Sequence, residues 1–181
     1  QAAALAGTGR GRDAQSGAAL RAWGAALAAE RRFAEGARVL RRALERDTGE
    51  PAARDLLQLG TLYVRQRRFA EALPLIERAA LADQTRLGPA HPFIADDFHA
   101  LGLAYLGLRR PAAATAALRF AVRLLRRGAG KGTPRLAYAE LTLARALHEE
   151  GREQEAKALF DAARPILGKA EEEERRRERR T

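Results

Sequence analysis

The sequence contains no cysteine and no methionine, and it has one tryptophan and one serine among its 181 residues. Without cysteine the chain can form no disulfide, no thiolate nucleophile and no cysteine-based zinc site. The single serine, Ser16, lies in a stretch rich in Gly and Ala, which excludes a serine nucleophile in practice. We therefore predict that the protein is not an enzyme and that it uses no cofactor.

Long apolar runs are also missing. None approaches the roughly 20 residues that a helix needs to cross a bilayer, so no transmembrane helix is predicted. Apolar residues still make up 46% of the chain and are mostly Ala and Leu, while Arg and Glu supply most of the charge. This mixture favours helix, because these residues lose little on entering one and few β-branched residues are present. We predict one all-α domain with a sizeable core.

Methionine is absent even at position 1, where the chain begins Gln1-Ala-Ala-Ala-Leu. Such a start is typical of a processed N-terminus left after removal of a signal peptide, or of a boundary within a longer chain. We therefore expect an exported, periplasmic protein rather than a cytoplasmic one. The frequent Ala, Arg and Gly favour a GC-rich bacterial source.

Acidic residues are outnumbered, with 23 Asp and Glu against 33 Lys and Arg, for a formal net charge of +10. An excess of this kind favours acidic partners, anionic membrane surfaces or nucleic acid. The alternative is a solvated surface rich in arginine, because most of the basic residues stand beside Glu at helix-surface positions. Both interpretations remain open from composition alone.

An internal repeat organises the chain, and it is visible as two landmarks that recur in four copies. The first is a small residue between two large ones: Trp23-Gly24-x-x-Leu27, Leu59-Gly60-x-x-Tyr63, Leu101-Gly102-x-x-Tyr105 and Leu143-Ala144-x-x-Leu147. The second has small, large and small residues: Gly36/Leu40/Ala43, Ala72/Ile76/Ala79, Ala114/Leu118/Ala121 and Ala156/Phe160/Ala163. Both landmarks follow the same spacing along the chain, which indicates a repeated pair of helices.

The small positions have a physical reason. Two antiparallel helices approach closely only where Gly or Ala replaces a bulky side chain, and large residues nearby then fill the grooves. A short polar turn separates the two helices of each copy, such as Glu30-Arg-Arg or Glu150-Gly-Arg. Since one helix pair cannot bury its apolar stripe alone, neighbouring pairs are expected to stack into a continuous core.

These landmarks resemble the tetratricopeptide repeat (TPR), which has a large residue, then Gly or Ala, then Tyr in its first helix. The middle of the chain, with Leu87-Gly-Pro-Ala-His-Pro, is similar to the 42-residue variant of kinesin light chains and many bacterial proteins. The resemblance implies a right-handed α-solenoid of about four antiparallel helix pairs with a C-terminal capping helix. The repeats would cover residues 17–52, 53–94, 95–136 and 137–164 of a domain spanning 17–164.

The two ends lie outside the repeats. Residues 1–16 are predicted to be flexible, and residues 165–181 to form the capping helix and a charged tail, with Pro165 in the first turn. Glu171, Glu172 and Glu173 stand four residues before Arg175, Arg176 and Arg177, which supports an exposed helix. The alternative, a basic tail that binds nucleic acid or lipid, is weakened by the interleaved Glu.

The resemblance also implies a partner-binding groove lined by the first helix of each repeat. The candidate groove residues are Arg21, Arg54, Gln58, Thr61, Arg65, His99, Thr142, Arg145 and His148. This mixed polar and basic set favours an extended acidic or C-terminal peptide as ligand. Family members that clamp a terminal carboxylate use Asn, whereas this chain has none and holds Ala22, Gln58, Ala100 and Thr142 there. We therefore do not expect that clamp.

Metal and phosphate sites are not predicted. His91 belongs to the inter-repeat turn, where it is expected to order the loop, and His99 with Asp96 gives only one helical ligand spacing. The segment Gly128-Ala-Gly-Lys-Gly-Thr superficially resembles a phosphate loop. It follows a helix rather than a strand, and Gly132 separates its Lys from its Thr, so it is interpreted as a linker.

The leading functional hypothesis is a non-catalytic scaffold or adaptor for protein–protein interaction, acting alone or as a subunit of a larger assembly. Its partner would be a protein, acidic or presenting a peptide segment, and no small-molecule substrate is expected. One alternative is a helical repeat protein that binds nucleic acid through its basic surface, although aromatic residues for stacking are sparse at 6%. The other is a regulatory repeat segment of a larger signalling protein.

Overall fold

The computed structural model describes residues 17–46, 52–128 and 132–178, and these ranges contain helices and turns but no strand. The helices are α1 (17–29), α2 (Phe33–Arg46), α3 (Ala53–Arg65), α4 (Phe69–Leu87), α5 (Ile94–Gly107), α6 (Pro111–Gly128), α7 (Pro134–Glu149) and α8 (Glu153–Glu178). The predicted all-α architecture is confirmed. The segment predicted to be flexible, residues 1–16, lies outside the described residues.

The helices form four hairpins, and each hairpin closes with the same turn. The central turn residue has a left-handed backbone in every copy, with φ of 61° at Arg31, 61° at Arg67, 58° at Arg109 and 77° at Gly151. The next backbone N–H donates to the carbonyl of the second large landmark residue, for example from Arg32 to Leu27 at 2.8 Å and from Arg152 to Leu147 at 2.9 Å. This is a Schellman cap, which satisfies carbonyls at the end of the first helix.

The chain divides into two compact units, with the boundary between Ala79 and Ala80 inside α4. In the first unit the small landmark residues lie where the paired helices come closest. A Cβ added to Gly24 would lie 2.8 Å from Cγ of Leu40, and one added to Gly60 would lie 2.5 Å from Cγ1 of Ile76. Because Leu40 and Ile76 are fully buried, neither can move aside freely. The small residue is therefore required by packing.

The second unit contains α5, α6, α7 and α8, each packed against the next. Its main core joins fully buried residues of successive helices, such as Ile94, Leu118 and Leu147. Helix α7 begins at a Thr133 cap, whose hydroxyl accepts from the backbone N–H of Leu136 at 3.4 Å, with proline following at the first helical position. These start signals are typical of helix N-termini.

Two landmark residues differ in exposure from their counterparts in other copies. Trp23 is 57% exposed, whereas the equivalent Leu59 and Leu143 are buried. Leu59 shares a cleft with side chains of α2, and Leu143 shares one with side chains of α6. The large position therefore faces the preceding hairpin, and no described element precedes α1. Phe160, the other exposed landmark, is considered below with the functional site.

The capping segment differs from the prediction of a separate helix that begins at Pro165. Helix α8 runs without a break from Glu153 to Glu178, with Pro165 in its interior. A proline there removes one backbone hydrogen bond and usually strains the helix. Buried residues on both sides of Pro165 offset this cost, because Ala163 and Leu167 pack with Ala137 of α7 in a small second cluster. The cap is therefore the continuation of the fourth hairpin.

Candidate functional site

Three of the predicted groove residues come together in the second unit. Thr142, Arg145 and His148 of α7 line a cleft of about 740 Å³, which we call the terminal cleft. The remaining lining residues are Leu103, Leu141, Ala144, Glu153, Ala156, Lys157 and Phe160. All but Leu103 belong to α7 or α8, so the cleft is built mainly from the last described hairpin.

The repeat register explains why this cleft is open. Its Phe160 corresponds to Leu118 and its His148 to Leu106, 42 residues earlier in the sequence. Leu106 and Leu118 are buried in a core shared with α7. Phe160 is 44% exposed and His148 is also exposed, because no described helix follows the fourth hairpin. The terminal cleft is thus the counterpart of a surface that α7 covers in the preceding hairpin.

Charged groups surround the apolar part of the terminal cleft. Nδ1 of His148 lies 2.8 Å from a carboxylate oxygen of Glu153, and this hydrogen bond raises the pKa of His148 above its usual 6.5. Nε of Arg145 donates to Glu149 at 3.2 Å, one turn along α7. At least one side chain of each pair is exposed to solvent, so each pair contributes little to the stability of the fold. Their effect is to give the cleft a rim of mixed charge around Phe160.

His99 lies beside the terminal cleft rather than in its lining. Its Nε2 is 3.0 Å from the hydroxyl oxygen of Thr142, and that hydroxyl itself donates to the carbonyl of Tyr138 at 2.8 Å. Since the Thr142 hydrogen is already used, Nε2 of His99 must carry the proton and donate it. This contact links α5 to α7.

The other candidate groove residues belong to the first unit. Arg21 forms a 2.7 Å ion pair with the buried Asp55, which connects α1 to α3. Thr61 and Arg65 line a separate hollow of about 400 Å³ with residues of α1 and α2. Arg54 is exposed on α3 and Gln58 is half-buried there. The structure therefore divides the candidates between the two units and gathers only Thr142, Arg145 and His148 in one cleft.

Asp97 is an unusual buried group of the second unit. It is fully buried in α5, and neither carboxylate oxygen has a hydrogen-bond partner among the described residues. Burial, followed by the nearby charges of Asp83 and Asp96, raises the pKa of Asp97 to about 7. A buried carboxyl without partners favours its neutral form, because ionisation in an apolar surrounding is costly.

No cluster of three or more His, Asp or Glu side chains suited to a metal ion occurs in the described parts of the chain. The Asp96 carboxylate, considered above with His99, is instead held by Arg135 at 2.7 Å. His91 accepts a hydrogen bond at Nδ1 from the backbone N–H of Phe93 at 3.3 Å, within the turn before α5. Among the described helices, none is long and apolar enough to cross a membrane.

One recurrent contact was missed in the sequence although its spacing is visible there. The last residue of the hairpin turn is Arg in every copy, and in three copies Glu follows three residues later. Arg32 pairs with Glu35 at 2.7 Å, and Arg152 pairs with Glu155 at 2.6 Å. The hydrogen bond from Arg32 lowers the pKa of Glu35. An Arg-x-x-Glu pattern at a fixed distance from the small landmark would have revealed it.

Comparison with known proteins agrees with this fold. The family model of the tetratricopeptide repeat matches residues 52–127. A crystal structure from Podosopora anserina, described as a kinesin light chain candidate with nearly identical TPR-like repeats, is 21% identical with a TM-score of 0.67, covering 86% of this chain and 76% of that one. A comparison with curated proteins finds no match.

Two further solved structures share the architecture. MamA of Desulfovibrio magneticus RS-1 is 19% identical with a TM-score of 0.63, covering 83% of this chain and 75% of that one. BtubC (BKLC) from P. vanneervenii is 15% identical with a TM-score of 0.55, and the match covers 89% of this chain and 90% of that one. At such identities the likeness establishes the fold and nothing further. The family match places tetratricopeptide repeats at residues 52–127, and the structural likeness shows that the chain has the all-α solenoid fold.

Proposed function

We propose that the chain is a non-catalytic scaffold for protein–protein interaction, and that its terminal cleft receives an amphipathic helix of a partner protein. The observation that carries the proposal is Phe160. It occupies the position of the fully buried Leu118, yet 44% of its surface is exposed. A large, partly exposed apolar side chain in a cleft with charged residues is typical of an anchor for a partner.

The kind of partner follows from the repeat. In the preceding hairpin, the equivalents of Phe160 and Ala156 are Leu118 and Ala114, and both belong to one buried cluster with residues of α7. A partner helix with apolar residues at the spacing i, i+3 or i+4, and i+7 would bury Phe160 in a similar way. The rim pairs, His148 with Glu153 and Arg145 with Glu149, would set its orientation through charges on either side of that stripe.

The sequence of α7 itself provides a probe. A fluorescein-labelled peptide of residues 134–149 should bind to the terminal cleft, because α7 covers the equivalent surface one repeat earlier. Fluorescence anisotropy on the whole chain measures this binding, for which we expect a dissociation constant of roughly 10–100 µM given the cost of ordering a free peptide.

The decisive comparison uses two charged substitutions at exposed phenylalanines of the second unit. Phe160→Asp should weaken binding of the peptide by at least about tenfold, because truncating a central apolar anchor typically costs that much. Phe93→Asp is the matched control, since Phe93 is 62% exposed and lies outside the terminal cleft. Equal binding by the two variants, or no binding of the peptide to the unmodified chain, would refute the proposal.

A further inference from the structure

A second surface of the second unit has a different chemistry, and it is formed by one face of α6. Arg119, Arg123, Arg126 and Arg127 follow the spacing i, i+4, i+7 and i+8, so they lie along a single side of the helix. All four are exposed. The opposite side of α6 contributes buried residues such as Leu118 to the core. The arginines therefore form a continuous basic edge.

This edge borders a cleft of about 630 Å³, which we call the arginine cleft. Its apolar lining comes from three helices: Val122, Leu143, Leu147, Ala158 and Leu159. Glu155 of α8 completes the lining together with the four arginines. The arginine cleft and the terminal cleft have no lining residue in common, although both use α7 and α8. They are separate surfaces.

The positive charge of the arginine cleft is only partly neutralised within the chain. Arg119 pairs with Glu155 at 2.8 Å. Arg126 donates from two nitrogens to one oxygen of Glu140, at 3.1 and 2.7 Å, and that carboxylate is buried. These two pairs hold their guanidinium groups at the edge of the cleft.

The other two arginines of the edge, Arg123 and Arg127, have no carboxylate partner among the described residues. Arg123 lies over the ring of Phe120 with its guanidinium carbon 5.2 Å from the ring centroid. No carboxylate of the described residues forms an ion pair with Arg123 or Arg127. Two guanidinium groups beside an apolar floor are thus available for a ligand with carboxylates.

We propose that the arginine cleft binds an acidic amphipathic segment of a partner protein. Its aliphatic side chains would pack against Ala158 and Leu159, the apolar lining residues that are not buried, and its carboxylates would pair with Arg123 and Arg127. The ligand needs both aliphatic side chains and carboxylates, because the floor of the cleft is apolar and its edge is basic. Single-stranded nucleic acid fits this surface poorly, since base stacking needs an open aromatic face. The nearest ring, Phe120, is half-buried between Phe98 and Arg123.

The test uses three synthetic peptides of about 16 residues, a length that gives roughly four helical turns. The first carries Leu at the spacing i, i+3 or i+4, and i+7, with Glu at the exposed positions. The second replaces every Glu with Lys, and the third replaces every Leu with Ser. Fluorescence anisotropy with the whole chain should detect binding of the first peptide only. The affinity for the first peptide should decrease as the salt concentration is raised from about 50 mM to about 300 mM, because salt screens exposed charges.

Two double variants of equal charge locate the binding. Arg123→Glu/Arg127→Glu should weaken binding of the first peptide by at least about tenfold, because each reversal replaces attraction with repulsion. Arg164→Glu/Lys169→Glu changes the net charge equally, at exposed positions of α8 outside the arginine cleft, and should bind almost normally. Phe160→Asp should also bind this peptide normally, which separates the proposal from that for the terminal cleft.

Several results would overturn the proposal. Equal losses in both double variants would show attraction to net charge alone. Binding of the Ser-containing peptide as tight as that of the Leu-containing one would show that the apolar floor takes no part. Displacement of the acidic peptide by single-stranded DNA at comparable concentration would identify a nucleic-acid surface instead. Absence of any binding at about 100 µM, a weak affinity for a specific contact, would exclude the docking surface.

Discussion

The buried carboxyl of Asp97 makes the stability of the second unit depend on pH in a direction opposite to that of most acidic residues. Its pKa is raised from 3.8 to about 7 in the folded chain, first by burial and then by Asp83 and Asp96. At pH values between these two, the unfolded chain is ionised at Asp97 while the folded chain still holds the proton. Stability is therefore lost as pH rises from about 4 to about 7, and the loss is constant above that.

The size of the effect follows from the shift. A change of about three pKa units corresponds to about 4 kcal/mol, at about 1.4 kcal/mol for each unit. The substitution Asp97→Asn keeps the shape of the side chain and removes its ionisation. We expect the variant and the parent to be similarly stable near pH 4. Near pH 8 the variant should be the more stable by about 2–4 kcal/mol, where the lower figure allows for water that reaches the ionised carboxylate.

Urea unfolding followed by circular dichroism at several pH values measures this difference. Tryptophan fluorescence is unsuitable, because the single tryptophan, Trp23, is exposed and lies in the first unit. Other titrating groups are common to both proteins and cancel in the difference. Asp161→Asn is the matched control, because Asp161 is exposed on α8 and is not among the groups that raise the pKa of Asp97. A difference between Asp97→Asn and the parent that does not grow with pH would refute the reasoning.

Two further predictions test packing and the rim of the terminal cleft. Gly102→Ala should destabilise the chain by about 1–3 kcal/mol in urea unfolding, because the added methyl would overlap the fully buried Leu118. Gly168→Ala, where nothing lies within contact distance, should instead stabilise it by about 0.5–1 kcal/mol, and an equal effect at both positions would contradict the packing argument. Glu153→Gln should lower the pKa of His148 toward 6.5 in an NMR titration, and an unchanged pKa would show that their hydrogen bond does not form in solution.

The periodic small residues were enough to predict the pairing of the helices. Gly24, Gly60 and Gly102 each lie against a large residue sixteen positions later, as the landmarks required. This prediction succeeds because the close approach of two helices depends on side-chain volume, and the residue type determines that volume. The bends were predictable for a similar reason, although the left-handed backbone at Arg31, Arg67 and Arg109 was not. Only the fourth copy shows it in the sequence, as Gly151.

The partner surfaces were predicted less completely. Thr142, Arg145 and His148 line one cleft, but the remaining groove candidates are separated from them or engaged elsewhere, as Arg21 is with Asp55. The repeat register assigns a residue to a face of its helix. Whether that face is open depends on which helix packs over it and which carboxylate reaches it, and both are decided by contacts between distant parts of the chain.

The sequence by itself determined that this protein is built from repeated helix pairs, because the spacing of Gly and Ala leaves close-packed hairpins as the way to bury the apolar stripes. Only the tertiary structure decided that Phe160 is exposed while its counterpart Leu118 is buried. It also decided that Asp97 loses all its hydrogen-bond partners in the described structure and that α8 continues through Pro165. Equivalent positions in different repeats have different neighbours, and the burial and pKa of a side chain depend on those neighbours.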